Sequence, residues 1–166
     1  QYKAIMVADD DVLISPRWLS RLFKLSVEYD LWMLQPAFSR FGKISHPLTA
    51  RRLSSDLRFV NFVEITCPIF PTHKLVDFLS VYSLDMPSPT GLDYWLPYFF
   101  GIEKENKYAI SDSWYCINPR EQFKPHHKRA IDRASSQDSR KTMIATTLKE
   151  LGVRQFIYWE YANSVY

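Results

Sequence analysis

The stretch KAIMVADDDVLISPRWLSRLF, residues 3–23, passes from an almost wholly apolar run into three consecutive aspartates and then into a proline-led amphipathic segment. Residues 3–8 read as a short strand covered on both faces, as in a parallel sheet. Ser15 as N-cap and Pro16 at the first helical position mark a helix start, and Trp18, Leu19, Leu22, Phe23 and Leu25 supply its apolar side. Strand, acidic turn and helix in that order open an α/β unit. They place Asp9, Asp10 and Asp11 at the C-terminal end of a strand, the edge where such folds bind ligands.

The remaining chain continues the alternation. LWMLQPAF (31–38) reads as a second strand stopped near Pro36, and FVNFVEITCPIFP (59–71) as a third, longer one. THKLVDFLSVYS (72–83) suits a helix capped by Thr72, with Leu75, Val76, Phe78 and Leu79 in its apolar stripe. DMPSPTGLDYWLPYFFG (85–101) runs from a loop into a helix starting near Gly91, and KYAISDSWYCINP (107–119) is another strand. Residues 120–141 lose the apolar periodicity and carry seven Lys or Arg against three acids, along with His126 and His127. A helix over SRKTMIATTLKELG (139–152) and an aromatic tail, RQFIYWEYANSVY (154–166), complete the chain. The expectation is a single α/β domain: a core over 1–119, a basic loop over 120–141, and a C-terminal helix and tail over 142–166.

Composition bounds the function. At 166 residues and 46% hydrophobic, the chain can form one core that buries roughly 70% of its unfolded surface. A net charge of +3 gives no electrostatic reason to expect a nucleic-acid partner. Cys67 and Cys116 lie among apolar neighbours without metal-ligand spacing and are expected as reduced, buried thiols, which suits a cytoplasmic protein. No apolar run reaches the roughly 18 residues of a membrane span, and the first residues lack the plan of a signal peptide.

Three adjacent carboxylates repel one another unless protons or a cation offset their charge. Oxygen-only ligands favour Mg²⁺ or Mn²⁺, which bridge a few carboxylates to substrate phosphates. On a strand, alternation would put Asp9 and Asp11 on one face and Asp10 on the other. The same triplet also suits a solvated loop that caps the following helix. An apolar strand ending in D-x-D also occurs in haloacid-dehalogenase-type phosphatases, where Asp9 would be the nucleophile. The downstream glycine-linked acidic motif of those enzymes has no counterpart here.

VADDDVLISPRWLSRL more closely resembles the metal-binding stretch of GT-A nucleotide-sugar glycosyltransferases. LQPAF (34–38), ISHPLTARR (44–52), VEITCPIFP (63–71), GLDYW (91–95) and ISDSWYCIN (110–118) follow in an order similar to a largely uncharacterised GT-A-like family of plants and bacteria. The resemblance covers about residues 4–120. It implies a mixed sheet flanked by helices, without a counterpart here of the nucleotide-binding half that precedes the D-x-D strand in complete GT-A domains. Another chain or segment would then supply that half. The implied activity is sugar transfer from a nucleotide-sugar donor to a hydroxyl acceptor such as a glycan.

By the same resemblance, Asp9 and Asp11 would hold Mn²⁺ or Mg²⁺, and Asp10 would contact the sugar or ribose. Asp93 would be the base that deprotonates the acceptor, or else a helix N-cap behind Gly91. Asn118 stands where the family pattern has a metal-ligating histidine, with His126 or His127 as substitutes. Arg51, together with Lys128 and Arg129 on the basic loop, would contact donor phosphates. His46, Glu64, Tyr94 and Trp95 are the acceptor-side candidates; Glu64 stands out as an acid inside an apolar run. A non-catalytic carbohydrate-binding module is the alternative outside enzymes.

Overall fold

The computed structural model describes residues 2–82, 90–120, 136–163 and 165. Lys128, Arg129, His126 and His127 lie outside the described residues. Described elements run β1 (Ala4–Met6), β2 (Leu13–Ile14), α1 (Pro16–Glu28), β3 (Met33–Phe38), a 3₁₀ turn (Pro47–Thr49), β4 (Leu57–Phe59), β5 (Ile69–Pro71), α2 (Thr72–Val81), α3 (Leu92–Phe100), β6 (Tyr108–Ile117) and α4 (Gln137–Glu150).

The six described strands form one mixed sheet in the order β1-β5-β3-β6-β2, with β4 also paired to β6. Only β3 and β6 run parallel, from Met33↔Tyr108 onward. The β1–β5, β3–β5, β4–β6 and β2–β6 pairs are antiparallel. The first strand therefore does not belong to a parallel sheet as its composition suggests; what its apolar run reports is cover on both faces.

Residue alternation explains that cover. Met33, Phe70, Tyr108 and Ile110 face a core shared with Phe78 of α2 and Leu96 and Phe100 of α3. Their neighbours Leu34, Ile69 and Ala109 face a second core shared with Leu22 of α1. A sheet buried on two sides leaves no polar face to alternate, so its strands read as unbroken apolar runs.

Three sequence expectations change. Residues 59–71 are not one strand: β4 ends at Phe59, a bridge at Val60 follows, and β5 begins only at Ile69. Pro36 does not stop β3, which continues to Phe38; a register shift between Pro36 and Phe38 takes up the irregularity. Thr72 is the first residue of α2, with Pro71 at the cap position, and its hydroxyl donates to the Tyr2 carbonyl at 2.5 Å. In α2, Phe78 is buried, whereas Val76 and Leu79 are more than half exposed.

Ser15 and Pro16 begin α1 where the sequence puts them, although Ser15 makes no side-chain cap bond. The aromatic tail folds back along β4: Tyr161 N–H donates to Phe59 O at 2.8 Å and Val165 N–H to Leu57 O at 2.8 Å. No helix among the described residues is long and apolar enough to cross a membrane.

Candidate functional site

The parallel pair β3 and β6 ends at Phe38 and Ile117, and the candidate residues gather around that end. Strand β2 brings the acidic segment there by pairing Leu13 with Ile117 and Ile14 with Cys116. Antiparallel register carried one step further sets Val12 beside Asn118. Upstream, Val7 N–H donates to Pro68 O and Asp9 N–H to Thr66 O, both at 2.9 Å.

The triplet itself is not strand. Asp10 and Asp11 occupy a turn, and Val12 N–H reaches Asp9 O at 3.4 Å. Strand alternation therefore does not govern which aspartates share a face, and this part of the sequence reasoning is replaced by turn geometry. Asp9 and Asp10 are exposed, and Asp11 is partly buried.

The irregular segment 61–68 collects the other acids. Glu64 donates its N–H to Gln35 Oε1 at 2.6 Å, and its carboxylate accepts from the Thr49 hydroxyl at 2.7 Å. Asp93 Oδ1 accepts from Ile65 N–H at 2.7 Å. Thus Glu64 itself, Asp93 bonded at Ile65 and Asp9 bonded at Thr66 are strung along three consecutive residues. Asp93 is not the N-cap of α3: Gly91 takes that position at φ 102°, and a Cβ there would lie 2.6 Å from Thr147 Oγ1.

Crowding and burial shift both inner acids. Glu64, only 4% exposed, is pushed up to about 7 by desolvation; the Thr49 hydrogen bond opposes this and the charge of Asp93 adds to it. Asp93 is pushed up to about 6, again mainly by desolvation, with the Ile65 hydrogen bond opposing and the charge of Asp9 adding. Both carboxyls are thus pushed above the usual carboxylate range, a pattern characteristic of functional sites.

The shift at Glu64 has a sign that can be tested. Between pH 4.5 and about 7 the folded chain keeps a proton that the unfolded chain releases, so folding stability falls as pH rises through this window. Glu64→Gln removes the dependence while keeping an acceptor for Thr49. In urea denaturation it should be near neutral at pH 5 and more stable than wild type by about 3 kcal/mol at pH 8. An equal difference at both pH values would show that Glu64 ionises normally.

Beside these acids lies a hydroxyl chain. Tyr94 and Tyr158 hydroxyls are 3.1 Å apart, and Tyr158 reaches His46 Nδ1 at 3.1 Å. The His46 ring packs 4.7 Å from Phe62, and burial lowers its pKa. The sequence-named His46 and Tyr94 thus meet. Trp95 does not join them: it stacks on Phe99 at 4.7 Å and packs against Phe78 in the main core.

The HPLTARR motif is also distributed. Thr49 serves Glu64, and Arg51 donates Nε–H to Asp112 O at 3.0 Å with its guanidinium 3.8 Å from the Tyr115 ring centre. Arg52 pairs with Glu160 at 2.7 Å.

Asn118 Oδ1 is buried, in a residue 8% exposed, without a hydrogen-bond partner among the described residues. Cys67 and Cys116 are buried with sulfurs 3.8 Å apart. The Cys67 thiol is pushed up first by its hydrogen bond to Cys116, then by burial and by the charges of Cys116, Glu64 and Asp9.

Sequence reasoning missed Tyr158 and the buried pair Arg58–Asp112. The tail offered no spacing signal for Tyr158. Arg58, however, is a lone charge in the apolar run LRFV, the same signal that singled out Glu64.

No family model, no curated protein and no solved structure matches this chain. The likeness to GT-A transferases therefore rests on the motifs quoted above.

Proposed function

We propose that this chain is a metal-dependent glycosyltransferase, or the catalytic portion of one, acting on a nucleotide-sugar donor and a hydroxyl acceptor. The observation that carries the reading is the gathering of Asp9, Glu64 and Asp93 along residues 64–66, at the end of the parallel strand pair, with two carboxyls pushed above the usual carboxylate range.

Whether a divalent cation fits can be asked of the residues. Among those described, no three His, Cys, Asp or Glu side chains form a group able to hold an ion. In this reading Asp9 and Asp11, with the buried Asn118 Oδ1, would supply oxygen donors to Mg²⁺ or Mn²⁺, the donor type those ions prefer. Such a cation supplies charge neutralisation at the departing diphosphate.

Asp93 is the base in this reading. Above pH 6 it is ionised, it is only partly exposed, and it lies beside the Tyr94–Tyr158–His46 chain that lines the acceptor side. The acceptor oxygen attacks the anomeric carbon, the bond from that carbon to the diphosphate oxygen breaks, and the acceptor proton passes to Asp93. Glu64 orients the acceptor side through Thr49, with Asp10 and Arg51 retained as donor contacts.

Thermal melting with a panel of nucleoside diphosphates, with and without Mn²⁺, tests the proposal. At a hundredfold excess over the dissociation constant, binding stabilises by about 2.7 kcal/mol, a rise of about 5–11 °C for a domain of this size. At least one diphosphate should give that rise only with Mn²⁺, and the Asp9→Asn/Asp11→Asn variant should lose it while melting normally alone. A Mn²⁺-dependent rise that survives in the variant would dismiss the acidic turn as the cation site.

A further inference from the structure

Next to Asn118 the surface holds a cavity of about 460 Å³ lined by Arg40, Gly42, Lys43, Ile44 and Arg120. Among the described residues its lining carries three cations and no acid, and its volume falls in the range of about 300–1,000 Å³ usual for small-molecule sites. We infer that this cavity is a binding site for a diphosphate group, which it holds through Arg40, Lys43 and Arg120 without need of a metal.

The floor is built rather than accidental. The chain leaving β3 turns at once, with Gly42 N–H donating to Ser39 O at 2.9 Å and Phe41 N–H to Ser39 Oγ at 3.3 Å. Gly42 lies flat against the end of β6: a Cβ there would come 2.5 Å from Asn118 O, so only glycine permits the approach. Lys43 N–H then donates to Asn118 O at 2.7 Å. Arg120, two residues past Asn118, reaches back across the gap, its Nε and one terminal nitrogen donating to Gly42 O and Arg40 O, each at 3.3 Å.

These bonds fix where the charges stand. Arg120 commits two of its five N–H donors to backbone carbonyls, and its guanidinium is held over the cavity for a planar, two-point contact with a phosphoryl group. Arg40 and Lys43 flank it from the β3 side. A phosphoryl group offers these donors more oxygens than a carboxylate does, and it matches the planar fork of a guanidinium.

Position selects a diphosphate over a lone phosphate. Leu13 of β2 pairs with Ile117, the residue before Asn118, and the acidic turn directly precedes β2, so that turn enters the sheet next to this floor. An anion long enough to touch the arginines with one phosphoryl group can present the other to a cation held at that turn. The identity of the diphosphate as part of a sugar donor rests on the proposed transferase function. The anion site itself does not.

Isothermal titration with pyrophosphate and with orthophosphate, on protein freed of metal by chelation, tests the inference. Pyrophosphate should bind, at least tenfold more tightly than orthophosphate and more weakly as salt is raised. Lys43→Ala/Arg120→Ala, and separately the single exposed change Arg40→Ala, should each reduce affinity, the double variant at least tenfold, with circular dichroism checking that the fold is kept. Asp9→Asn/Asp11→Asn should leave metal-free binding intact, which separates failure of the cation site from failure of this one. Wild-type protein that binds no pyrophosphate, binds orthophosphate equally well, or is matched by an intact Arg40→Ala variant would overturn the assignment.

Discussion

Asp112→Asn is expected to lower the unfolding free energy by about 3–5 kcal/mol, the cost of leaving a buried charge without its partner. Arg58 and Asp112 are both wholly buried, with Nε to Oδ2 at 2.6 Å and a terminal nitrogen to Oδ1 at 3.1 Å. The carboxylate also accepts from Arg52 N–H and the Ser55 hydroxyl, each at 2.8 Å, so four donors converge on it. An asparagine has one oxygen for them and turns its own N–H groups on the rest. Arg58 would keep its bonds to Leu48 O and Ala50 O and the nearby Glu160 carboxylate, but lose the charge that faces it most closely. The midpoint of thermal unfolding should fall by about 6–20 °C. A fall of less than 2 °C would mean that Glu160 alone neutralises the arginine.

The second large effect follows from the proposed function, with Asp93 as base. Asp93→Asn should reduce kcat by roughly 10²–10⁴-fold, the usual contribution of a positioned general base, with little change in donor affinity. Asparagine retains an oxygen that can accept from Ile65 N–H, so the 61–68 segment keeps its anchor. The pH profile separates chemistry from anchoring. In wild type, kcat/KM should rise with pH through about 6, where Asp93 ionises, and this limb should disappear in the variant. An unchanged rate would leave Asp93 as an anchor only.

The architecture was legible where a residue's neighbours in sequence determine its state. Ser15-Pro16 and the periodic apolar residues after it specify α1, and alternation of apolar segments announces α/β layering. What could not be read is where the chain breaks its own patterns. FVNFVEITCPIFP is mostly apolar, yet its middle leaves the sheet because Glu64, Ile65 and Thr66 bond to Gln35, Asp93 and Asp9 from distant segments. Pro36 stays in β3 because a register shift absorbs it, a tertiary accommodation with no local signature. Glu64 announced itself by its apolar surroundings; Tyr158 did not, because only chain reversal at the tail brings it to His46.

The link between β1 and β2 is only six residues long, yet the two strands pair with opposite sides of the sheet, Met6 with Ile69 and Leu13 with Ile117. Such long-range closures cost chain entropy before they gain contacts. The aspartates can reach their final place only after both outer pairings exist. Ala4 and Met6 of β1 and Ile14 of β2 also pack against the second core, so the closures that position the aspartates complete the interior as well.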